Sequence, residues 1–217
     1  MAVLKRKRLT RQEGRELTTQ RLVEAAQALI ARRGLDATSV EDIAEAAGYS
    51  RGAFYSNFKS KNDLFFEVLR QDQQRISGKF AVALNDATSL EQIRARISEI
   101  NAGLFSERDS FLAWNEARML SARDAKFRAR LAALISERRD FIASIIEYLA
   151  KRTGSTPNFP VKALAMGFIS FTEGVRLFGA SCPSEMPAEV ARSVLDLFVN
   201  SVLDHVLQPA EPEPEPG

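Results

Sequence analysis

The apolar positions of the chain recur at the spacing of α-helices. In the segment TTQRLVEAAQALIARRG, which spans Thr18 to Gly34, they follow the i, i+4, i+7, i+8 pattern of a helix with one buried face. These positions are Leu22, Ala26, Leu29 and Ile30. A hydroxyl residue before such a pattern and a glycine after it are typical helix boundaries. We therefore predict that a first helix begins at Thr18 or Thr19 and ends at Gly34.

Three shorter patterns follow the first helix. Ser39 and a carboxylate three residues later form a variant of the capping box, which predicts a second helix that ends at Gly48. A very short third helix is predicted over about residues 50–58, with Phe54 and Phe58 pointing inward because they lie four residues apart. The cap signature recurs at residues 60–63 and predicts a fourth helix that extends towards residue 84.

Beyond residue 86 the pattern remains helical, and no alternating strand pattern of useful length is present. The predicted helices lie in TSLEQIRARISEINAGLF, in SFLAWNEARMLSA, over residues 122–151, in VKALAMGFISFTEGVRLFG and in AEVARSVLDLFVNSVLDHVL. The final segment, PAEPEPEPG, is too polar and proline-rich to form a packed core. The predicted fold class is therefore all-α with about nine helices, followed by a disordered Pro/Glu tail over residues 208–217.

Charge is distributed unevenly along the 217 residues, although the formal net charge is only +2. Residues 1–75 contain 14 Lys and Arg against 10 Asp and Glu, whereas residues 76–217 contain 16 against 18. Most of the basic excess lies in KRKRLTRQEGR, within residues 1–17, which we predict to be a flexible arm. Such a cluster is typical of a polyanion-binding arm, but a solvated, disordered chain start explains it equally well.

The composition argues against several classes of protein. No apolar run approaches the ~18 residues needed to cross a bilayer, and the start of the chain has no apolar segment typical of a secretory signal. We therefore expect a cytoplasmic protein without a membrane partner. With one cysteine, Cys182, and one histidine, His205, the sequence supports neither an intrachain disulfide nor a metal site. We predict no metal, no cofactor and no enzymatic activity.

The glycine turn between the second and third helices is typical of a helix-turn-helix motif. Such a motif places its second helix in the major groove of DNA, so outward side chains need donors that match base edges. Arg51 can offer two parallel donors to guanine, and Tyr55 and Asn57 can contact bases or phosphates. Ser39, at a helix N-terminus, is well placed for a phosphate oxygen.

These residues lie in TSVEDIAEAAGYSRGAFYSNFKSKNDLF, which resembles the TetR family of bacterial transcriptional regulators. The resemblance covers about residues 18–66. It implies that Arg51 and Ala53 face bases, that Tyr55 and Asn57 face bases or backbone, and that Lys61 holds a phosphate. Because the side chain of Ala53 is only a methyl group, its contact with a base is limited to the methyl group of thymine. The full set of candidate DNA contacts is Ser39, Tyr49, Ser50, Arg51, Ala53, Tyr55, Asn57, Lys59 and Lys61, of which Lys59 is either on a phosphate or solvated.

The resemblance also implies a homodimer, because one such module makes few base contacts and two modules reach successive major-groove faces about 34 Å apart. Family members dimerise through their last two long helices. The predicted interface residues are Ala165, Gly167, Gly174, Val194, Leu195, Phe198, Val202 and Val206. The alternative is that these two helices close the core of the monomer.

The remaining helices are rich in aromatic residues, which are core residues by default and line a ligand pocket only in part. The candidate pocket residues are Phe105, Phe111, Trp114, Asn115, Glu116, Phe141, Phe168, Phe171, Thr172 and Glu173. Glu173 alternatively forms an ordinary ion pair. The predicted domains are thus residues 18–66, a three-helix DNA-binding domain, and residues 67–207, a helical ligand-sensing and dimerisation domain.

The resemblance implies a repressor that leaves a palindromic double-stranded DNA operator when a small, largely apolar effector binds. Two other classes stay open: a helical DNA-binding or partner-binding protein without an effector, and an enzyme that uses the aromatic pocket. Neither the operator, the regulated genes, the effector nor the direction of regulation follows from the sequence.

Overall fold

The computed structural model describes residues 10–85, 89–155, 157 and 159–207. Within these residues the chain forms nine α-helices and no strand, as the hydrophobic pattern predicts. The helices are α1 (Arg11–Arg33), α2 (Val40–Ala46), α3 (Arg51–Asn57), α4 (Lys61–Asn85), α5 (Leu90–Ser106), α6 (Arg108–Arg123), α7 (Ala125–Arg152), α8 (Val161–Ser181) and α9 (Ala188–Leu207). No helix among the described residues is long and apolar enough to cross a membrane.

Helix α1 begins two turns earlier than the sequence predicts. Its N-cap is Thr10, whose hydroxyl accepts a hydrogen bond from the Glu13 amide at 3.2 Å, while the Glu13 carboxylate accepts from the Thr10 amide at 2.7 Å. Thr18 caps nothing, because its hydroxyl donates to the Gly14 carbonyl inside the helix. Residues 11–17 are therefore helical and not part of a flexible arm. The rest of the predicted arm, residues 1–9, and the predicted disordered tail lie outside the described residues.

The chain divides into two compact units whose boundary differs from the predicted one at residues 66 and 67. Unit 1 consists of residues up to Gln74 together with Arg108–Leu131, and unit 2 consists of Arg75–Glu107 with the residues from Ala132 onward. The difference has two causes. Helix α4 continues without a break from one unit into the other, and α6 packs along α1 in unit 1.

The core of unit 1 joins the first four helices to α6. Phe54 of α3, Phe65 of α4 and Trp114 of α6 are fully buried, and Phe65 stacks on Phe127 at the start of α7. Fully burying a large apolar side chain contributes about 1.5–3 kcal/mol. The carboxylate of Asp72 accepts hydrogen bonds from the Trp114 indole at 2.8 Å and from the Ser110 hydroxyl at 2.7 Å. This arrangement fixes α6 against α4.

Unit 2 contains α5, α7, α8 and α9 with the C-terminal part of α4. Its main core cluster consists of Ile93, Ile97, Ala143, Ile146, Leu149, Ala150, Ala165, Val199, Leu203 and Val206. A second, smaller cluster joins α8 to α9 through Val175, Ala191 and Leu195, and Phe105 of α5 packs against it. All four helices of this unit thus place apolar faces in one core.

Candidate nucleic-acid interface

The turn between α2 and α3 depends on Gly48. This residue has φ +76°, in the left-handed region that favours glycine. Its amide donates to the Glu45 carbonyl at 2.9 Å, and the next amide, of Tyr49, donates to the Ala44 carbonyl at 2.8 Å. This pair of bonds is the Schellman motif, which ends a helix and turns the chain sharply. The turn therefore sets the direction in which α3 leaves α2.

Helix α3 is held from one side only. Phe54 is completely buried and anchors the helix, and its ring lies 5.9 Å from that of Phe58, which is half-buried. The Ser50 hydroxyl caps the helix by accepting from the Ala53 amide at 3.2 Å. The exposed side chains are Arg51, Tyr55 and Ser56. A short helix with a buried aromatic anchor and an exposed donor-bearing face is the geometry that the helix-turn-helix prediction requires.

Arg51 is exposed and already has two partners within its own unit. Its guanidinium forms an ion pair with Glu41 of α2 at 2.8 Å and lies 5.5 Å from the centre of the Tyr55 ring. A hydrogen bond to Tyr55 and the charge of Glu41 raise the pKa of Arg51. The Arg51 side chain is therefore already positioned beside Tyr55. To donate to an acceptor on another molecule, it must break its ion pair with Glu41.

Ser39 caps α2 as predicted, but its polar groups are bound to Asp42. The Ser39 hydroxyl accepts from the Asp42 amide at 3.1 Å and donates to the Asp42 carboxylate, which also accepts from the Ser39 amide at 2.9 Å. Hydrogen bonds from Ser39, followed by one from Arg33, lower the pKa of Asp42 to about 2. A carboxylate thus lies where the sequence predicts a phosphate contact, so Ser39 reaches a phosphate only if Asp42 moves away.

Asn57 and Lys61 hold the unit together. The Thr19 hydroxyl donates to the Asn57 side-chain oxygen at 3.1 Å, and the Asn57 amide group donates to the Ala53 carbonyl at 2.8 Å, so this side chain links α3 to α1. The Lys61 ammonium donates to the carbonyls of Leu35 and Thr38 at 2.7 and 2.8 Å. Tertiary partners thus occupy, in the free protein, the groups that the sequence assigned to bases and phosphate, and the contacts with DNA stay predictions.

The other predicted contacts lie around α3. Lys59 is exposed just beyond its end, Ala53 and Tyr49 are half-buried, and Ser50 is exposed at its start. Sequence reasoning missed Glu41, the ion-pair partner of Arg51, and Thr19, the partner of Asn57. No local signal identifies either residue, since each pairing joins two different helices.

Replacing Lys61 with methionine is expected to lower the free energy of unfolding by about 2–3 kcal/mol, because two hydrogen bonds from a charged group to buried carbonyls are lost. The effect is measured by urea denaturation followed by circular dichroism. Lys59→Met is the matched control and should leave the midpoint unchanged. Equal midpoints for Lys61→Met and the wild-type protein would return Lys61 to the phosphate-binding role.

Four of the ten predicted pocket residues lie in unit 1 and six lie in unit 2. Phe111 and Trp114 are buried in the core of unit 1. Asn115 and Glu116 line a groove of about 360 Å³ between α1 and α6 of the same unit. The Glu116 carboxylate lies so close to Gly34 that a Cβ there would be 2.9 Å away. The pocket role of these four residues stays a prediction, and their helix α6 packs along α1.

The other six predicted pocket residues lie in unit 2. Phe168 lines a cavity of about 50 Å³ whose lining is entirely apolar. Phe171 stacks on Phe198 with 4.0 Å between ring centres, and Phe105 packs against the smaller core cluster. Phe141 lines a different, open pocket beside Tyr148. The Thr172 hydroxyl donates to the Phe168 carbonyl, and Glu173 forms an ion pair with Arg138 at 3.0 Å.

The predicted dimer residues do not share one exposed face. Ala165, Leu195 and Val206 are buried within the core of unit 2, as the alternative that α8 and α9 close the core of the monomer predicts. Three further predicted residues also have partners inside unit 2: Phe198 packs on Phe171, Val202 lines the apolar cavity, and Val194 packs on the smaller core cluster. Of the two glycines, Gly174 is half-buried and Gly167 is exposed. The apolar side chains that α8 and α9 do expose are Met166, Leu177, Phe178, Val190 and Leu197.

Among the described residues, no group of three or more His, Cys, Asp or Glu side chains is placed to hold a metal ion. The polar groups that unit 1 exposes around α3 include the guanidinium of Arg51 and the phenol of Tyr55. Their chemistry is that of recognition, by charge, hydrogen bonding and aromatic contact.

Comparison with known proteins matches the same part of the chain. The family model described as bacterial regulatory proteins, tetR family, matches residues 22–68. The chain is 42% identical over 69 residues to the HTH-type transcriptional regulator AcrR of Shigella flexneri, a match that covers 32% of each chain. It is 43% identical over 68 residues to the HTH-type transcriptional repressor KstR2 of Mycolicibacterium smegmatis, over 31% of this chain and 33% of that one. The chain thus matches about a third of the length of these relatives, which are named as regulators and not as enzymes.

Solved structures extend the likeness to the whole fold. A TetR-family transcriptional regulator from Rhodococcus sp. superposes with a TM-score of 0.74 at 24% identity, over 87% of this chain and 99% of that chain. A transcriptional regulator from Saccharomonospora viridis, solved in complex with choline, gives a TM-score of 0.70 at 22% identity, over 85% and 96% of the two chains. The matched segment contains α2, the Gly48 turn and α3, with the anchor and the exposed face described above. Residues 22–68 therefore match the tetR family of bacterial regulatory proteins, and the chain as a whole shares the fold of these solved structures.

Proposed function

We propose that this protein is a cytoplasmic transcriptional repressor that binds a palindromic double-stranded DNA operator as a homodimer and leaves it when a small molecule binds. The observation that carries the proposal is α3, which is anchored by Phe54 and exposes Arg51 and Tyr55 on its free face. Arg51 is the main reader of base identity, because a guanidinium donates two parallel hydrogen bonds to guanine.

A dimer is required because a single helix of this length reads only a few base pairs, whereas two copies related by a twofold axis read two half-sites. The exposed apolar side chains of α8 and α9, described above, supply the surface for the second copy. Isolated exposed leucines are common, but several large ones on consecutive helices are typical of an interface.

The effector binds in unit 2. The choline complex of the related Saccharomonospora viridis regulator supports a small-molecule site in a protein of this fold. The apolar cavity beside Phe168 marks its place, although about 50 Å³ is far below the ~300–1,000 Å³ of ligand pockets, so binding must widen it. Because α4 contributes residues to both units, it carries the change from the effector to the DNA-binding unit. A coupling free energy of ~1–3 kcal/mol between effector binding and operator binding changes operator affinity ~5–150-fold.

The experiment that tests this function is selection of bound fragments from bacterial genomic DNA, followed by fluorescence anisotropy on the enriched sequence. We expect an inverted repeat whose half-sites lie about one helical turn apart, and a nanomolar affinity that weakens with salt. Enrichment of no sequence, or of sequences without twofold symmetry, contradicts the proposal.

The small volume of the cavity favours one alternative, a DNA-binding protein that has no effector and a solid second unit. Thermal unfolding in the presence of a broad panel of apolar compounds separates the two functions. A ligand that binds the folded state at 100 times its Kd stabilises it by about 2.7 kcal/mol and raises the melting temperature. No shift with any compound would favour the protein without an effector.

A further inference from the structure

The helices that line the apolar cavity of unit 2 also carry buried polar side chains. Ile97 of α5, Ile142 of α7 and Phe168 of α8 each line the cavity. One helical turn away from them lie Asn101 on α5, Arg138 on α7 and Thr172 on α8. Residues four apart share one face of a helix, so these side chains continue the cavity wall in each helix.

Contacts between the helices place these side chains at the same end of the cavity. The ion pair between Arg138 and Glu173 joins α7 to α8 at this level. On α5, Ile97 lines the cavity with Phe168, and Phe105 packs against the cluster that contains Val175. Asn101 lies midway between Ile97 and Phe105, so it lies between the levels of Phe168 and Val175, which is where Thr172 and Glu173 are found. We name Asn101, Arg138, Thr172, Glu173 and Arg176 the polar layer.

The polar layer is buried. Asn101 is 5% exposed and Arg176 7%, and the side chains of Arg138 and Glu173 are 14% and 12% exposed. Burying ion pairs costs several kcal/mol per ion in desolvation, and apolar residues of similar volume often give equal or greater stability. A charged layer inside a helical core therefore indicates a role beyond packing.

The amide nitrogen of Asn101 is buried and has no hydrogen-bond partner among the residues that the structure describes. A buried donor without an acceptor costs free energy, and such groups are rare in folded proteins. Asn101 therefore offers two N–H donors at the polar end of an apolar cavity. A ligand that places an acceptor oxygen there recovers this energy on binding.

The charge of the layer selects the chemistry of that acceptor. The polar layer contains two guanidinium groups, of Arg138 and Arg176, and one carboxylate, of Glu173. Arg176 also donates to the Glu107 backbone carbonyl at 3.1 Å, which keeps its guanidinium near the end of α5. The excess positive charge favours an anion over a cation, and a carboxylate is an anion that only accepts hydrogen bonds.

On the basis of the proposed function, we infer that the effector is an amphipathic carboxylate, with a hydrocarbon chain in the apolar cavity and its carboxylate accepting hydrogen bonds from Asn101. The cavity lining has no polar atoms to satisfy, so the chain needs no polar substituent. The chain widens the cavity by moving the side chains that line it, of which Phe168 is only partly buried.

The test uses the full-length protein and three compounds with the same eight-carbon chain: octanoate, 1-octanol and octylamine. Binding is measured by isothermal titration calorimetry and by the shift in melting temperature. We expect octanoate to bind at least tenfold more tightly than 1-octanol, and octylamine to bind most weakly because its ammonium meets the two guanidinium groups. Equal binding of the three compounds, a preference for octylamine or no binding of octanoate overturns the inference.

Two variants test whether Asn101 is the residue that donates hydrogen bonds to the carboxylate. Asn101→Leu keeps the approximate volume and removes the buried donor, so it should fold at least as stably as the wild type and lose octanoate affinity at least tenfold while 1-octanol binding is unchanged. Asn101→Asp places a negative charge beside the ligand and should also weaken octanoate binding. The matched control is Asn115→Leu in unit 1, which should bind octanoate normally. Unchanged octanoate affinity in both Asn101 variants overturns the assignment.

The same samples separate this inference from the proposed function. Operator binding of the ligand-free protein is measured by fluorescence anisotropy and does not depend on the identity of the effector. If octanoate binds but operator affinity stays the same, the inferred ligand chemistry stands and ligand-controlled repression fails. If the operator is bound but octanoate is not, the inference fails and DNA binding stands.

Discussion

Replacing Leu197 with glutamate should convert the dimer into monomers at micromolar concentration. Leu197 lies on α9 and is 71% exposed, the largest exposure among the large apolar residues described. Burying a leucine contributes about 1.5–3 kcal/mol, and a twofold interface loses two copies, so the dimer should weaken by ~10²–10⁴-fold. Light scattering coupled to size-exclusion chromatography measures the change in mass.

The matched control for Leu197→Glu is Val82→Glu. Val82 is 61% exposed on α4 of the same unit and does not belong to the proposed α8–α9 interface. This variant should remain dimeric. A Leu197→Glu protein that keeps the dimer mass would place the interface away from α9, and a monomeric wild-type protein would remove the dimer from the proposed function. Weaker operator binding should accompany dissociation, since each monomer then reads one half-site.

The fold of unit 1 could be predicted from the sequence where its determinants are local. Ser39 and Asp42 form their capping box within four residues, and Gly48 provides the positive φ that the turn requires. Phe54 is buried as its helical spacing predicts. Each of these features depends on neighbours along the chain, so the sequence carries the information directly.

The start of α1 shows where local reasoning fails. Thr10, Thr18 and Thr19 are all suitable caps, and the first apolar positions of the stripe follow the last two. Thr10 is the cap because Glu13, three residues later, completes a capping box. The TRQE sequence of residues 10–13 contained this signal, but its basic surroundings favoured a flexible arm.

The roles of Asn57 and Lys61 depend on residues distant in sequence and could not be predicted. Asn57 bonds to a hydroxyl 38 positions earlier, and Lys61 bonds to carbonyls 26 and 23 positions earlier. Outward spacing on a short helix shows that a side chain does not face the core, but it does not show whether another helix meets it. These two side chains are therefore structural in the free protein.

The same limit applies to the predictions for the second unit. An apolar stripe on a helix shows that a face is buried but not which chain covers it. Ala165, Leu195 and Val206 follow such stripes and are covered by helices of their own unit. Four of the predicted pocket residues lie on α6, which packs along α1. Only the three-dimensional packing assigns a long helical segment to one unit or the other.

Replacing Arg51 with alanine should remove most of the preference for one base in each half-site. A bidentate contact to guanine discriminates ~5–150-fold against the wrong base, and a palindromic operator contains two such contacts. The wild-type protein should therefore prefer the selected operator over a duplex changed at that base, and Arg51→Ala should bind both duplexes equally. Fluorescence anisotropy on the two duplexes measures the preference. A variant that keeps the wild-type preference would exclude Arg51 as a reader.

Glu41→Gln tests whether the ion pair of α2 restrains Arg51. In the free protein the Glu41 carboxylate lies 2.8 Å from the Arg51 guanidinium. Both groups are exposed, so replacing this ion pair with a contact to DNA costs little free energy. Removing the carboxylate should raise operator affinity by up to about tenfold, because it frees the donor and removes a charge that repels phosphates. The double variant Arg51→Ala/Glu41→Gln separates these two causes. If Glu41 acts through Arg51, adding Glu41→Gln to Arg51→Ala changes nothing; if it acts on the phosphates, the gain persists and declines with salt.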